Sequence, residues 1–172
     1  MIKNKRGLSV MVSYILLISF ALIMAVIVFA YLKTYVPKSV VSCPDDTSLF
    51  IKDFNCSNGE LNITLKNNGR FSIGGYFIHS ANDSTQEIAT DNMVDLLNPA
   101  GQNQTKYLSS VAFSTSTENV LKPGEEVTNS YILADSISFI EIIPARFQTE
   151  KNRLRLVSCG GSVSKEVVSC TP

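Results

Sequence analysis

The sequence contains no tryptophan, a single histidine and four cysteines among its 172 residues. One histidine, His79, is too few for a zinc site built from cysteine and histidine, and no two cysteines stand in a C-x-x-C spacing. The sequence also lacks a G-x-S-x-G motif. We therefore expect no enzyme activity, no catalytic residues, no cofactor and no metal site.

An excess of one charge is also missing, because 15 Lys and Arg balance 15 Asp and Glu. The balance hides an uneven distribution. Lys3, Lys5 and Arg6 all precede residue 7, whereas residues 38–172 hold eleven basic against fifteen acidic side chains, a net charge of −4. A mildly acidic body without a basic patch argues against nucleic-acid binding. The early cations place the N-terminus in the cytoplasm and the bulk of the chain outside, by the positive-inside rule.

Residues 8–32 contain no charge, no proline and no glycine. As a helix this run would be ~37 Å long, which exceeds the ~30 Å hydrocarbon core of a bilayer. Its apolar residues fall on every side, so lipid or other protein must surround it. No small-x-small cleavage site follows it, and Pro37 disfavours helix at the preceding residue. We predict a cytoplasmic leader at 1–7, a retained helix at 8–36 and a stalk at 37–47.

The remaining residues, 48–172, alternate between apolar and polar side chains, and turn residues interrupt them. About eight short strands and few helix signals predict an α+β chain, in which the long hydrophobic helix precedes an all-β antiparallel sandwich of the immunoglobulin-like kind. Residues 80–106 hold only a short apolar patch and are expected to form a long surface loop. Residues 107–115 are predicted to be one strand, and Pro144 is expected to close the strand that begins near Ser136.

The four cysteines, which all follow the hydrophobic run, predict two disulfides in an exported head. Cys43 and Cys56 bracket one predicted strand, and Cys159 and Cys170 bracket another. A disulfide between the two cysteines that flank one strand is excluded, because an extended strand holds its ends ~23 Å apart and a disulfide needs a Cα separation of ~5.5 Å. Parallel strands would join Cys43 to Cys159 and Cys56 to Cys170. Antiparallel strands would join Cys43 to Cys170 and Cys56 to Cys159, and we predict this pairing because antiparallel neighbours are commoner.

Four N-x-S/T sequons begin at Asn55, Asn62, Asn82 and Asn103. In an exported domain such sequons are candidate N-glycosylation sites. The alternative is that a chain rich in Ser, Thr and Asn contains sequons by chance.

The order of residues at the N-terminus resembles the class III signal of archaeal type IV pilins and archaellins. Arg6 matches the basic position, Gly7 the small residue before the cut, and Leu8 the start of the mature helix. The resemblance covers residues 3–36 and implies cleavage between Gly7 and Leu8 by a prepilin-peptidase-like protease. Val12 stands at the fifth mature position, where many bacterial pilins carry glutamate; archaeal members often lack it.

This resemblance implies a structural subunit of a cell-surface filament, used in adhesion. The expected partners are the membrane before assembly, copies of the chain itself in the filament, and an assembly machinery. The leader cations Lys3, Lys5 and Arg6 would resist extraction from the membrane until they are removed. The expected location is the cell membrane, as a single-pass protein with its N-terminus inside, and then the extracellular filament. The alternatives are a minor pilin-like component and a single-pass surface glycoprotein whose head binds a partner.

Overall fold

The computed structural model describes residues 6–35, 42–83, 85–98, 104–150 and 152–172. The chain divides into two compact units, Met1–Val40 and Val41–Pro172. One apolar N-terminal helix is followed by antiparallel sheets, which confirms the predicted α+β class. The leader cations Lys3 and Lys5, the last residue of the predicted helix (36), residues 37–41 of the predicted stalk and the sequon residue Asn103 lie outside the described residues.

The first unit contains the helix α1, Arg6–Tyr35, which has 30 residues. At ~1.5 Å per residue it is about 45 Å long. Neither glycine nor proline interrupts it after Gly7, so every internal backbone group can join the helical ladder. The described part of the helix reaches Tyr35, two residues before Pro37.

In the second unit the described residues form ten strands and two short 3-10 turns, Val94–Leu96 and Gly160–Ser162. The strands are β1 (Leu49–Ser57), β2 (Glu60–Asn67), β3 (Gly75–Ala81), β4 (Asp91–Asn92), β5 (Thr105–Tyr107), β6 (Ser110–Ala112), β7 (Glu126–Ile132), β8 (Ile137–Glu150), β9 (Arg153–Ser158) and β10 (Ser164–Cys170).

The smaller sheet has three antiparallel strands in the order β1-β2-β7. Apolar and polar side chains alternate along β2. Because successive strand residues point to opposite sides, one face of this strand is apolar and the other is polar. Leu61, Ile63 and Leu65 are completely buried, whereas Asn62 and Thr64 between them remain partly exposed. The predicted two-residue period of this strand is therefore confirmed.

The larger sheet has seven strands in the order β10-β8-β3-β6-β5, with β4 beside β3 and β9 beside β8. This sheet curls into a half-barrel, so the immunoglobulin-like arrangement is not established. Apolar residues from the inner faces of both sheets form one core. Its largest completely buried members include Tyr76, Ile78, Ile140 and Ile142 from the curled sheet and Tyr131 from the smaller one.

The strand predicted to close at Pro144 instead continues through it to Glu150. The Pro144 carbonyl accepts a hydrogen bond from the Cys159 amide at 2.7 Å. The backbone nitrogen and carbonyl of Pro144 therefore lie on the side of β8 that pairs with β9 and β10. At that point β9 has ended and β10 has not begun, because Gly160–Ser162 forms a 3-10 turn. The donor that proline lacks therefore falls where the neighbouring strand is already interrupted.

Two further predictions for the head were wrong in detail. The single strand predicted for 107–115 is a tight hairpin, in which Tyr107 pairs with Ser110 and Leu108 adopts φ 55°. The predicted surface loop at 80–106 is partly core: Met93 and Val94 are 1% and 2% exposed. In the described part of that segment, β4 pairs with β3 and holds these side chains against the sheet.

Candidate functional site

The feature most directly tied to function is the apolar surface of α1. Its segment Val10–Tyr35 has 26 residues, is apolar enough to cross a membrane, and has no buried part in its most apolar stretch. At ~1.5 Å per residue this segment is about 39 Å long, enough to cross a ~30 Å hydrocarbon core with tilt. Large apolar side chains are exposed on all sides, for example Leu17 at 67% and Phe29 at 68%. A helix of this kind is stable only when lipid or protein covers it completely.

Two hydroxyl groups within α1, those of Ser19 and Thr34, are bonded to the helix backbone. Ser19 Oγ donates to the Leu16 carbonyl at 2.9 Å, and Thr34 Oγ1 donates to the Ala30 carbonyl at 2.9 Å. In a medium without water an unbonded hydroxyl is costly, so local bonding lets these side chains enter an apolar environment. The sequence predicted the apolar run but gave no sign of these hydroxyl bonds.

The two ends of α1 differ in chemistry. The Tyr31 and Tyr35 rings lie 5.1 Å apart beside Lys33 in the last turns, an arrangement that suits the polar boundary of a membrane. At the other end, the Gly7–Leu8 bond, where cleavage is predicted, lies within the described part of α1.

The structure joins Cys43 to Cys159 and Cys56 to Cys170, with Cα separations of 5.1 Å and 5.7 Å. The prediction of two disulfides is confirmed. The predicted pairing of Cys43 with Cys170 and of Cys56 with Cys159 is wrong, and the parallel alternative is the one observed. Together with the apolar helix near the N-terminus, these disulfides indicate a membrane-anchored or secreted protein.

The pairing prediction failed because it treated two strands as neighbours in one sheet. β1 belongs to the three-stranded sheet and β10 to the curled sheet, so they are not hydrogen-bonded partners. The preference for antiparallel pairs applies to neighbours within a sheet. Across the core, β1 and β10 run in the same direction, and the disulfides tie the two sheets together at both ends of this strand pair.

Three of the four sequon asparagines lie in the described part of the head. Asn55 is exposed on β1, and Asn62 is half-buried on β2 directly opposite Asn55. Asn82 is exposed immediately after β3, and its sequon residue Ser84 lies outside the described residues. The structure therefore brings Asn55 and Asn62 together on one sheet face, which the sequence did not predict.

A buried group of hydroxyls connects the two sheets. The Tyr76 hydroxyl of β3 lies 2.5 Å from the Tyr131 hydroxyl of β7, and Asn129 Nδ2 donates to the Tyr76 hydroxyl. Burial away from water raises the pKa of the Tyr76 hydroxyl, and burial raises that of Tyr131 as well. Both hydroxyls therefore remain neutral in the folded head at pH values where free tyrosine ionises.

Alkaline pH is expected to destabilise the head through this tyrosine pair. Above pH ~10 the unfolded chain loses the two phenolic protons while the folded head keeps them. The pair's contribution is thus complete below pH ~10 and is lost as the pH rises toward the raised folded pKa values, by up to ~1.4 kcal/mol per pH unit for each tyrosine. Denaturant midpoints measured between about pH 9 and about pH 11 test this dependence.

The matched variants for that test are Tyr76→Phe with Tyr131→Phe, and Tyr107→Phe. The double variant removes both buried hydroxyls and should flatten the alkaline loss of stability. Tyr107 is only half-buried, on the short strand β5, and its replacement should leave the loss as steep as before. An unchanged alkaline slope in the double variant would contradict the assignment.

A surface groove of about 290 Å³ lies between β3, the β5–β6 turn and β9. Its lining is largely apolar, with Phe77, Leu108, Leu154 and Leu156 contributing to it together with Arg155. Among the described residues, no three His, Cys, Asp or Glu side chains come together as a metal site would require. No protein-family model matches the chain, and no curated protein sequence matches it.

Proposed function

We propose that this chain is a structural subunit of a type IV pilus-like, archaellum-like surface filament that serves in adhesion. The observation that supports the proposal best is the surface of α1, which is apolar and exposed on every side from Val10 to Tyr35. A helix with this surface needs an environment that surrounds it. A membrane meets this need before assembly, and a bundle of identical helices meets it afterwards.

Moving α1 from lipid into a helix bundle changes little in the apolar surface that is kept away from water, because lipid tails are as apolar as the side chains. Close packing between helices must therefore favour the bundle. The pairs Ser9/Ser13 and Ala21/Ala25 have small-x-x-x-small spacing, which allows backbones to approach closely. Such pairs also occur in apolar helices that do not associate. The internally bonded hydroxyl of Ser19 is compatible with either environment.

The leader would control the change of environment. Lys3, Lys5 and Arg6 keep the N-terminus at the cytoplasmic side, since each cation costs ~2.5–3.5 kcal/mol at the centre of a membrane. Cleavage between Gly7 and Leu8 by a prepilin-peptidase-like protease would remove all three cations at once. The uncharged helix end would then be free to enter the filament under the action of an assembly machinery. Contacts between copies would be head-to-tail and non-closing, which produces a helical filament.

A second candidate is a single-pass membrane-anchored surface glycoprotein whose head binds a partner. The apolar groove between β3, the β5–β6 turn and β9 favours this function, because binding sites are commonly concave and apolar. A minor pilin-like component is a third candidate, and it would share the processing of the filament subunit. An immunoglobulin-like sandwich in the head would be compatible with all three candidates.

Mass spectrometry of the mature N-terminus tests the proposal, together with electron microscopy of filaments sheared from cells. We expect a mature chain that begins at Leu8 and filaments that contain it. Gly7→Leu should block cleavage, because a large residue replaces the small one before the cut, and should leave the protein in the membrane without filaments. Asn4→Ala, in the same leader, is the matched control and should be cleaved normally.

Two results would contradict the filament proposal. An intact terminus at Met1 or Ile2, with no polymer, would favour the anchored glycoprotein. Normal cleavage without any sheared filament that contains the chain as its main component would instead favour the minor pilin-like role.

A further inference from the structure

The outward face of the three-stranded sheet is polar throughout its centre. Asn62 on β2 stands opposite Asn55 on one side and Ser130 of β7 on the other. One step along, Thr64 stands opposite Thr128, and their hydroxyls are 3.0 Å apart. Two sequon asparagines are thus cross-strand neighbours on a single exposed face.

The two sequons differ in how accessible their reacting groups are. Asn55 and Ser57 are both exposed and lie two residues apart on β1, so they point to the same side, while Cys56 between them is only partly exposed and packs against the core. In the other sequon, the Asn62 Oδ1 accepts a hydrogen bond from the Ser130 hydroxyl, and the Thr64 hydroxyl is bonded to Thr128. Only the first sequon offers its amide and its hydroxyl together to an external enzyme.

The positions of the strands strengthen this difference. β1 is the edge strand of its sheet, whereas β2 is paired on both sides. β1 therefore has one hydrogen-bonded neighbour in its sheet, whereas an oligosaccharide on β2 would stand between two neighbouring strands. Cys56, the middle residue of the first sequon, is bonded to Cys170, so Asn55 is reached on the folded edge strand and not by local opening of β1.

We propose that this sheet face is a modification site that carries one N-linked oligosaccharide, attached to Asn55, and that Asn62 stays unmodified in the same molecule. The donor class is a polyprenyl-phosphate-linked oligosaccharide. Asn55 Nδ2 attacks the anomeric carbon, a C–N bond forms, and the C–O bond to the phosphate breaks. The polyprenyl phosphate leaves, and a base of the transferase takes the amide proton. No oxidation or reduction occurs.

The outward face of the three-stranded sheet has room for only one oligosaccharide near Asn55 and Asn62. Residues directly opposite in an antiparallel pair hold their Cβ atoms ~4.5–5.5 Å apart. Two branched sugar chains leaving from points this close would compete for the same volume above the sheet. An oligosaccharide on Asn55 would also cover Asn62 and Thr64, so contacts between heads would have to use other surfaces. The inference requires only that the head is exported, so its failure would leave the filament proposal untouched.

Peptide mass spectrometry of the full-length protein purified from its own cells tests this inference. After reduction and alkylation, trypsin cuts after Lys52 and Lys66 and releases one peptide, 53–66, that holds both sequons. We expect this peptide to carry the mass of a single oligosaccharide. A second cut after Glu60 separates the sequons, and the added mass should remain with the Asn55 fragment.

Ser57→Ala and Thr64→Ala are the matched variants, since each removes the hydroxyl of one sequon from the same exposed face. Ser57→Ala should reduce oligosaccharide on peptide 53–66 at least tenfold, and Thr64→Ala should leave its occupancy unchanged. Two oligosaccharides on one peptide, an oligosaccharide at Asn62, or a peptide without any would each overturn the inference.

Discussion

Removing both disulfides is expected to unfold the head. The bonds close sequence separations of 116 and 114 residues, and a loop of that size contributes ~4.7 kcal/mol in the chain-entropy model. Once one bond exists, the second bond closes a much smaller ring. This ring consists of the segment from Cys43 to Cys56, which are 13 positions apart, and the segment from Cys159 to Cys170, which are 11 positions apart. That second bond contributes about 3 kcal/mol. The sum, about 8 kcal/mol, is comparable to the whole stability of an ordinary domain, ~5–15 kcal/mol.

The measurement is denaturant unfolding of the full chain in detergent, followed by near-ultraviolet circular dichroism. Cys43→Ser with Cys159→Ser removes one bond and should lower the free energy of unfolding by about 3 kcal/mol. Cys43→Ser with Cys170→Ser changes the same number of cysteines but removes both bonds, and the head should then be largely unfolded. Equal stability of these two double variants would show that the connectivity is different.

A charge at the middle of α1 is expected to prevent both membrane retention and assembly. Leu22 is 63% exposed and lies near the centre of Val10–Tyr35. A lysine at the centre of a membrane helix costs ~2.5–3.5 kcal/mol, so Leu22→Lys should reduce stable insertion by about 100-fold. In a bundle of identical helices each lysine would also lie beside equivalent lysines without a counter-ion.

The control is Leu32→Lys, which places the same charge next to Lys33 in the last turns of α1. A lysine there can extend its ammonium group to the membrane boundary, so retention and assembly should remain near normal. Both variants are measured by the fraction of protein that stays in alkali-washed membranes and by the yield of sheared filaments. Normal filaments from Leu22→Lys would exclude α1 as their core.

Local patterns in the sequence were sufficient for the features that depend on local physics. The absence of charge in 8–32 predicted α1, and alternation predicted the strand β2. These patterns work because burial of one face imposes a period on the side chains themselves. The likeness of residues 3–36 to a class III signal, in contrast, depends on the order of residues alone.

Features that depend on distant parts of the chain were not predictable. The disulfide pairing depends on which sheet each strand joins, and nothing in the residues around Cys43 or Cys159 records that. Pro144 is tolerated in β8 because β9 and β10 leave a gap beside it, which is a property of three strands together. The hairpin at Leu108 was missed because its turn uses a leucine at positive φ rather than glycine or asparagine.

The covalent tie between Cys43 and Cys159 also determines how the head would respond to mechanical tension. A pull transmitted along the polypeptide from the N-terminal side reaches Cys43 before it reaches β1. The load then passes directly to Cys159, across a bond that force of ordinary biological size does not break. β1 cannot be peeled from β2 by such a pull, so the head would withstand stretching that unravels a domain held by hydrogen bonds alone.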